Sequence, residues 1–328
     1  MSRLPIAITM GDPAGIGPEV AIKAIANPKV RREVEPILVG DPQVWQQTAT
    51  ELGIPLRGAT ILSPLEGTAG MPAATDHRRR RALGRGKDAR YAGEIAYRSI
   101  LAAVDLVQSG RAAAVVTAPI SKAHLNAAGH DYPGHTELLA HLAGDVPVRM
   151  MLAGDRLRVV LVTIHMALAE VPRRLNRDDI LETIRITAAG LRKRFGIARP
   201  RIAVAGLNPH AGENGLFGRE EIDLIAPAVV AARRARIDAS GPLAADGIFA
   251  HALQGAYDAV VCMYHDQGLG PFKLLHFADG VNLTLGLPFV RTSPDHGTAF
   301  DIAGRGIADP GSMIAAIRMA ARLAAVSA

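Results

Sequence analysis

Short apolar segments alternate with longer stretches of helical periodicity along most of the 328 residues, and this alternation limits the fold more than any other feature. A parallel strand buried on both faces reads as a brief run of Val, Ile, Leu and Ala, and the crossover to the next strand needs a helix. The pattern predicts strands at 6–10, 37–39, 113–117, 159–164, 202–205, 259–263 and 281–284, with helices at 93–108, 177–195 and 220–235. The expected class is therefore α/β with a largely parallel sheet. No internal repeat or low-complexity linker divides the chain, and its length suffices for one large or two medium domains.

Composition excludes several other classes. With 49% hydrophobic and 21% charged residues, the chain is neither disordered nor collagenous. No apolar run approaches the roughly eighteen residues of a membrane span. The first residues lack the pattern of a secretory signal, so the expected address is the cytoplasm. Cys262 is the sole cysteine, which rules out an intrachain disulfide or a thiolate cluster and leaves His, Asp and Glu as metal ligands. Between His77 and Arg90 lie seven Arg and Lys against one Asp, a balance equal to the whole net charge of +6. Such a run reads as a solvated loop. It lacks the interleaved aromatics on which a nucleic-acid strand would stack, so RNA binding is a minor alternative.

The residues at the ends of three predicted strands carry the chemistry. The strand at 159–164 runs into His165, that at 202–205 is followed by Gly206-Leu207-Asn208-Pro209-His210, and that at 259–263 leads to His265. In a parallel sheet these positions share the carboxyl edge, where open α/β sheets bind ligands. The intervals of 45 and 55 residues each leave room for a crossover helix. One such histidine could simply cap a strand; three in the same topological position predict an open divalent-metal site. Asp266 can serve as a ligand or orient His265, and Asp246 is a weaker candidate. A zinc hydrolase or deaminase would use the same donors, but the H-x-E and P-C-x-x-C signature of nucleobase deaminases is missing.

Two glycine-rich segments flank this region. Gly11-Asp12-Pro13-Ala14-Gly15-Ile16-Gly17-Pro18-Glu19 comes after the first strand with spacing G-x-x-x-G-x-G, which is not the Rossmann fingerprint. The second runs from Asp295-His296-Gly297-Thr298 through Asp301 to Pro310, and it resembles the adenosine-binding loop of the isocitrate and isopropylmalate dehydrogenases.

A broader resemblance rests on ITMGDPAGIGPE, YPGHTELLA, LNPHAGENGLFG, MYHDQG and GVNLTLGLPFVRTSPDHGTAFDIAG. Together they resemble the 4-hydroxythreonine-4-phosphate dehydrogenase family of pyridoxal phosphate biosynthesis. This resemblance implies two α/β/α domains of isocitrate/isopropylmalate dehydrogenase type, not a Rossmann fold, with a cleft between them. The expected division is 1–129 plus 282–328 on the cofactor side and 130–281 on the metal and substrate side. It also implies a homodimer with a shared active site, NAD as cofactor, and one divalent metal (zinc, magnesium or cobalt) on His165, His210 and His265. Substrate contacts fall on His135, Thr136, Lys273, Asn282 and Arg291, and cofactor contacts on Gly15, Gly17, His296, Gly297, Thr298 and Asp301. Lys273 and Asp266 are the candidates for proton transfer.

The implied reaction is oxidation of a phosphorylated hydroxy acid followed by decarboxylation. GENGLFG, with Asn214 and Phe217, is similar to relatives acting on 4-phospho-D-threonate or 4-phospho-D-erythronate, whereas DIAGRGIADPGSM resembles the biosynthetic members. A terephthalate-dihydrodiol dehydrogenase branch is a further alternative, and Gly134-His135-Thr136 counts against it. Asp301 has two readings: a carboxylate on the adenosine ribose, or the cap of a helix starting near Ile302.

Overall fold

A computed structural model describes residues 3–64 and 87–327, so most of the basic run lies outside the described residues. The fold is mixed α/β and divides into two compact units, residues 1–146 with 287–325, and residues 147–286 with 326–328. The division falls at 146/147 and 286/287, where the sequence suggests 129/130 and 281/282. The helix His135–Leu142 packs on the helix Lys87–Gln108, which keeps 130–146 with the first unit.

In the first unit, β1 (Leu4–Thr9), β2 (Val34–Val39), β3 (Thr60–Leu62), β4 (Ala114–Thr117) and β11 (Val290–Pro294) are ordered β3-β2-β1-β4-β11. Every one of these pairings is parallel. The strands bury Ile6, Ile8, Leu38 and Val116 completely, as expected for a sheet covered on both faces.

The second unit contains β5 (Arg149–Ala153), β6 (Arg158–Leu161), β7 (Arg201–Ala205), β8 (Asp238–Leu243), β9 (Ala259–Cys262) and β10 (Val281–Leu285), in the order β10-β5-β6-β9-β7-β8. Its β6, β9, β7 and β8 are mutually parallel, whereas β5 is antiparallel to both β10 and β6. The antiparallel pair β5–β6 closes through a tight turn in which the Gly154 N–H donates to the Leu157 carbonyl at 2.9 Å.

Each of the seven predicted strands is present, with shifted ends, and β3, β5, β8 and β11 add to them. The helix Arg177–Phe195 has the predicted bounds, because Asn176 accepts the Asp179 N–H at its start and Gly196 ends it at φ 70°. The predicted helix at 220–235 is interrupted: Glu221–Ile225 is a wider turn, and the regular helix spans Ala226–Arg234. Among the described residues no helix is long and apolar enough to cross a membrane.

The core of the second unit packs Val159, Leu161, Ala203, Val260 and Cys262 of the sheet against Phe249, Leu269 and Phe272. Phe272 lies in the helix His265–His276 and is fully buried. Phe272→Ala should therefore lower stability by about 3–5 kcal/mol, read as a shift of the urea midpoint at unchanged slope.

Candidate active site

In the second unit three adjacent parallel strands, β6, β9 and β7, bring their carboxyl ends to one edge. Pairing continues past the end of β6: Val162 N donates to the Cys262 carbonyl at 2.9 Å, and both Thr163 N and Thr163 Oγ1 donate to Met263 O, at 3.2 and 2.7 Å. This extension carries the chain in step to the two histidines. The His165 and His265 rings lie 5.6 Å apart between centroids.

His265 is the first residue of the helix His265–His276, and its Nδ1 is 2.7 Å from Asp266 Oδ1. That contact orients the imidazole. Buried Gln267 ties the β9 and β7 exits together, accepting from Met263 N at 2.7 Å and donating to Gly206 O at 2.6 Å.

Beyond β7 the chain enters a turn in which His210, Ala211, Gly212, Glu213 and Asn214 all have positive φ, between 44° and 80°. Four of the five are not glycine, so this is a left-handed turn that the L-residues resist. His210 is exposed on it, with its ring 6.5 Å from that of Phe217. Among the described residues no three His, Cys, Asp or Glu side chains are close enough to hold a metal ion. The histidine pair is assembled; the third imidazole stands on the neighbouring exit. In chemistry, though not in assembled geometry, these donors suit a divalent cation: three imidazoles leave one sheet edge, and one of them is oriented by a carboxylate.

Lys273 sits two turns beyond His265 in the same helix, half-buried. Asn282, on β10, has its side-chain oxygen buried without a hydrogen-bond partner.

In the first unit the two glycine-rich segments are joined to each other. Ile16 N donates to the Thr298 carbonyl at 2.9 Å, and Ala308 N donates to Glu19 Oε1 at 2.7 Å. Lys23 Nζ bonds Glu19 Oε1 and the carbonyls of Gly306 and Ala308 at 2.8–2.9 Å. The glycines serve this packing: a Cβ on Gly15 would stand 2.8 Å from Thr298 O, and one on Gly17 would stand 2.4 Å from Met10 O. Asp301 is exposed and caps no helix; the segment after it forms turns, and the next helix begins at Gly311. His296 Nδ1 lies 3.1 Å from Gly297 O, while its Nε2 is buried without a hydrogen-bond partner.

The buried Arg291 guanidinium, 2% exposed, donates to Thr117 Oγ1 through Nε and Nη2 at 3.2 and 2.6 Å. Burial holds its pKa below the ordinary arginine value, offset in part by the Glu137 charge. His135 and Thr136 form the first turn of the helix His135–Leu142. Burial, then the positive charge of Arg291, keep His135 neutral, and its Nε2 is buried without a partner. A guanidinium, an unsatisfied imidazole nitrogen and a helix N-terminus together suit an oxyanion.

Sequence reasoning missed two groups here. Asp12, fully buried, accepts Ala14 N at 2.9 Å on Oδ1 and faces His124 Nδ1 at 2.6 Å on Oδ2. The other is the carboxylate of Glu221, which accepts the N–H groups of Leu207 and Asn208, both at 2.7 Å. Neither had a local signal, since both partnerships depend on distant segments meeting.

A solved 4-hydroxythreonine-4-phosphate dehydrogenase from Klebsiella pneumoniae superposes with a TM-score of 0.86 and 42% identity, covering 99% of this chain and 98% of that one. A terephthalate 1,2-cis-dihydrodiol dehydrogenase from Burkholderia xenovorans LB400 is less similar, with a TM-score of 0.66 and 32% identity over 98% of each chain. The fold is that of an α/β dehydrogenase. At the sequence level, the 4-hydroxythreonine-4-phosphate dehydrogenase of Geobacter metallireducens is 55% identical over 98% of this chain and 96% of its own length. The profile of the pyridoxal phosphate biosynthetic protein PdxA matches residues 32–320, and the chain belongs to that family of enzymes.

The Asp12–His124 contact sets a pH dependence. The hydrogen bond that His124 donates to Asp12 raises the His124 pKa against the opposing effect of burial. A raised folded-state pKa stabilises the fold fully below the unfolded histidine value of about 6.5, and this stabilisation is lost as pH rises through the elevated value. Asp12→Asn should cost about 2 kcal/mol at acidic pH and progressively less as pH rises, measured by urea unfolding across a pH series.

Proposed function

We propose that this chain oxidises 4-hydroxythreonine 4-phosphate with NAD and decarboxylates the product to 3-amino-2-oxopropyl phosphate. The observation that carries this reading is the delivery of His165, His210 and His265 by three adjacent parallel strands to one sheet edge, in a family whose relatives bear that substrate's name. The architecture that goes with it is the two-domain one of the isocitrate and isopropylmalate dehydrogenases, in a cytoplasmic setting.

His165, His210 and His265 would hold one divalent cation, zinc, magnesium or cobalt. When bound, the cation supplies Lewis-acid polarisation of the substrate hydroxyl and of the carbonyl that replaces it. Asp266 fixes the His265 ring through the 2.7 Å contact, and Lys273 and Asp266 are the groups that would move the proton. Arg291, His135 and Thr136 bind the anionic end of the substrate, where arginine offers two parallel donors and neutral His135 one more. Asn282 supplies its buried oxygen to a donor on the substrate. NAD would supply the hydride acceptor for the hydroxyl-bearing carbon, Lys273 would take the hydroxyl proton, and the enolate left when the β-keto acid loses carbon dioxide would be reprotonated.

His296, Gly297, Thr298 and Asp301 would hold NAD, with Gly15 and Gly17 shaping the loop that supports them. Asp301, exposed and free of any capping duty, would accept hydrogen bonds from the ribose hydroxyls and repel a 2′-phosphate.

A turnover panel read by NADH absorbance tests the substrate: kcat/KM for 4-hydroxythreonine 4-phosphate should exceed that for 4-phospho-D-threonate, 4-phospho-D-erythronate and terephthalate dihydrodiol by about 10-fold or more. In the same assay Asp301→Lys should lower the NAD over NADP preference by about 10-fold or more. An unchanged ratio would remove Asp301 from the cofactor site.

The protein is further proposed to act as a homodimer with a shared active site. The second unit exposes Leu168, Leu216, Leu274 and Phe277 at 67–87%, apolar side chains that a partner chain would cover. Light scattering at micromolar concentration should give about twice the chain mass of 34.5 kDa, and an active monomer would defeat the shared-site reading.

A further inference from the structure

The five residues from His210 to Asn214 hold a left-handed turn that four of them resist, and strain of this kind persists only where the surroundings over-determine it. Backbone bonds from Ala211 N to Asn208 O and from Phe217 N to Gly212 O contribute, and a buried carboxylate holds the segment that leads into the turn. Glu221, 2% exposed, accepts Leu207 N and Asn208 N on Oε1, both at 2.7 Å, and Asn208 Nδ2 on Oε2 at 2.9 Å. Asn208 Nδ2 also donates to Glu220 Oε2 at 2.8 Å.

The turn is wrapped closely on this group. A Cβ on Gly212 would stand 2.6 Å from Glu221 Oε2, and one on Gly206 would stand 3.1 Å from Oε1 and 2.9 Å from the Ala211 Cα. Glu221 opens the wider helical turn Glu221–Ile225, a feature that breaks regular helix and recurs at functional sites. Burial disfavours its charge, yet the hydrogen bonds from Asn208 and Leu207 outweigh burial and keep the carboxyl below its ordinary value. A buried, ionised carboxylate held by the two residues that lead into Pro209-His210 has a function in placing the residues beyond them.

We propose that Glu221 is the positioning residue for His210: it clamps the exit from β7, holds the left-handed turn, and so sets how strongly the three-histidine site binds its cation. This rests on the metal reading given under Proposed function. Glu221 touches neither substrate nor metal; it acts through the backbone that carries the third imidazole.

A thermodynamic cycle tests it. Glu221→Gln keeps the volume but turns an NH2 group toward donors that need an acceptor. Affinity for Co²⁺ or Zn²⁺ alone is measured by calorimetry for the wild type, Glu221→Gln, His210→Ala and the double variant, with folding checked by circular dichroism. Glu221→Gln should weaken metal binding by about 10-fold or more in the wild-type background and cause no further loss once His210 is absent. Full affinity in folded Glu221→Gln, or an equal loss in both backgrounds, overturns the proposal. Should Glu221→Gln fail to fold, Asn208→Ala, which removes the side-chain donor to the same carboxylate, is run through the same cycle and judged by the same outcomes. The two readings fail separately: undiminished affinity in His210→Ala removes the metal reading itself, whereas lost affinity there with full affinity in Glu221→Gln removes only the role of Glu221.

Discussion

Parallel pairing of β6, β9 and β7 is the constraint on which the rest depends. Parallel strands all end on one side, so the segments that leave them begin their loops together without further instruction. Hydrogen bonds from Val162 and Thr163 to the β9 exit lengthen that agreement, and Gln267 extends it to β7. The sheet thus fixes where His165 and His265 start. It does not by itself fix His210, which stands five residues beyond β7 on a turn that glycine would favour and that histidine, alanine, glutamate and asparagine do not.

The two units solve the problem of a polar site differently. In the second, polar groups leave the sheet edge on loops stapled by buried amide and carboxylate side chains, Gln267 and Glu221. In the first, charge enters the sheet itself: Arg291 lies within β11, 2% exposed, and is satisfied in part by Thr117 on the adjacent β4. A guanidinium in that position costs desolvation. The Ile16–Thr298 backbone bond and the Glu19–Lys23 pair hold the two glycine-rich segments as one surface.

The parts of the fold that were legible in the sequence are those decided by local pattern. Buried parallel strands such as β4 and β9 are uninterrupted apolar runs, and the helix Arg177–Phe195 carries an asparagine cap at one end and a glycine at the other. By contrast β8, with the sequence DASGPL, has no apolar signature and exists because β7 offers it an edge. β11 holds a buried arginine and ends in proline, so no strand pattern announces it. β5 is hidden because its antiparallel turn is a short polar interval inside what reads as continuous sequence.

The sequence by itself determined the class of fold, the three histidines at equivalent strand exits and the family, because each is written in apolar periodicity or in contiguous motifs. Tertiary structure alone decided that Gly15 and Gly17 make room for protein backbone, that Asp301 caps no helix, and that His210 rides a left-handed turn braced by Glu221. The reason is range: periodicity and caps act over a few residues, whereas a buried carboxylate finds its partners only after segments thirteen, a hundred or nearly three hundred residues apart have packed together.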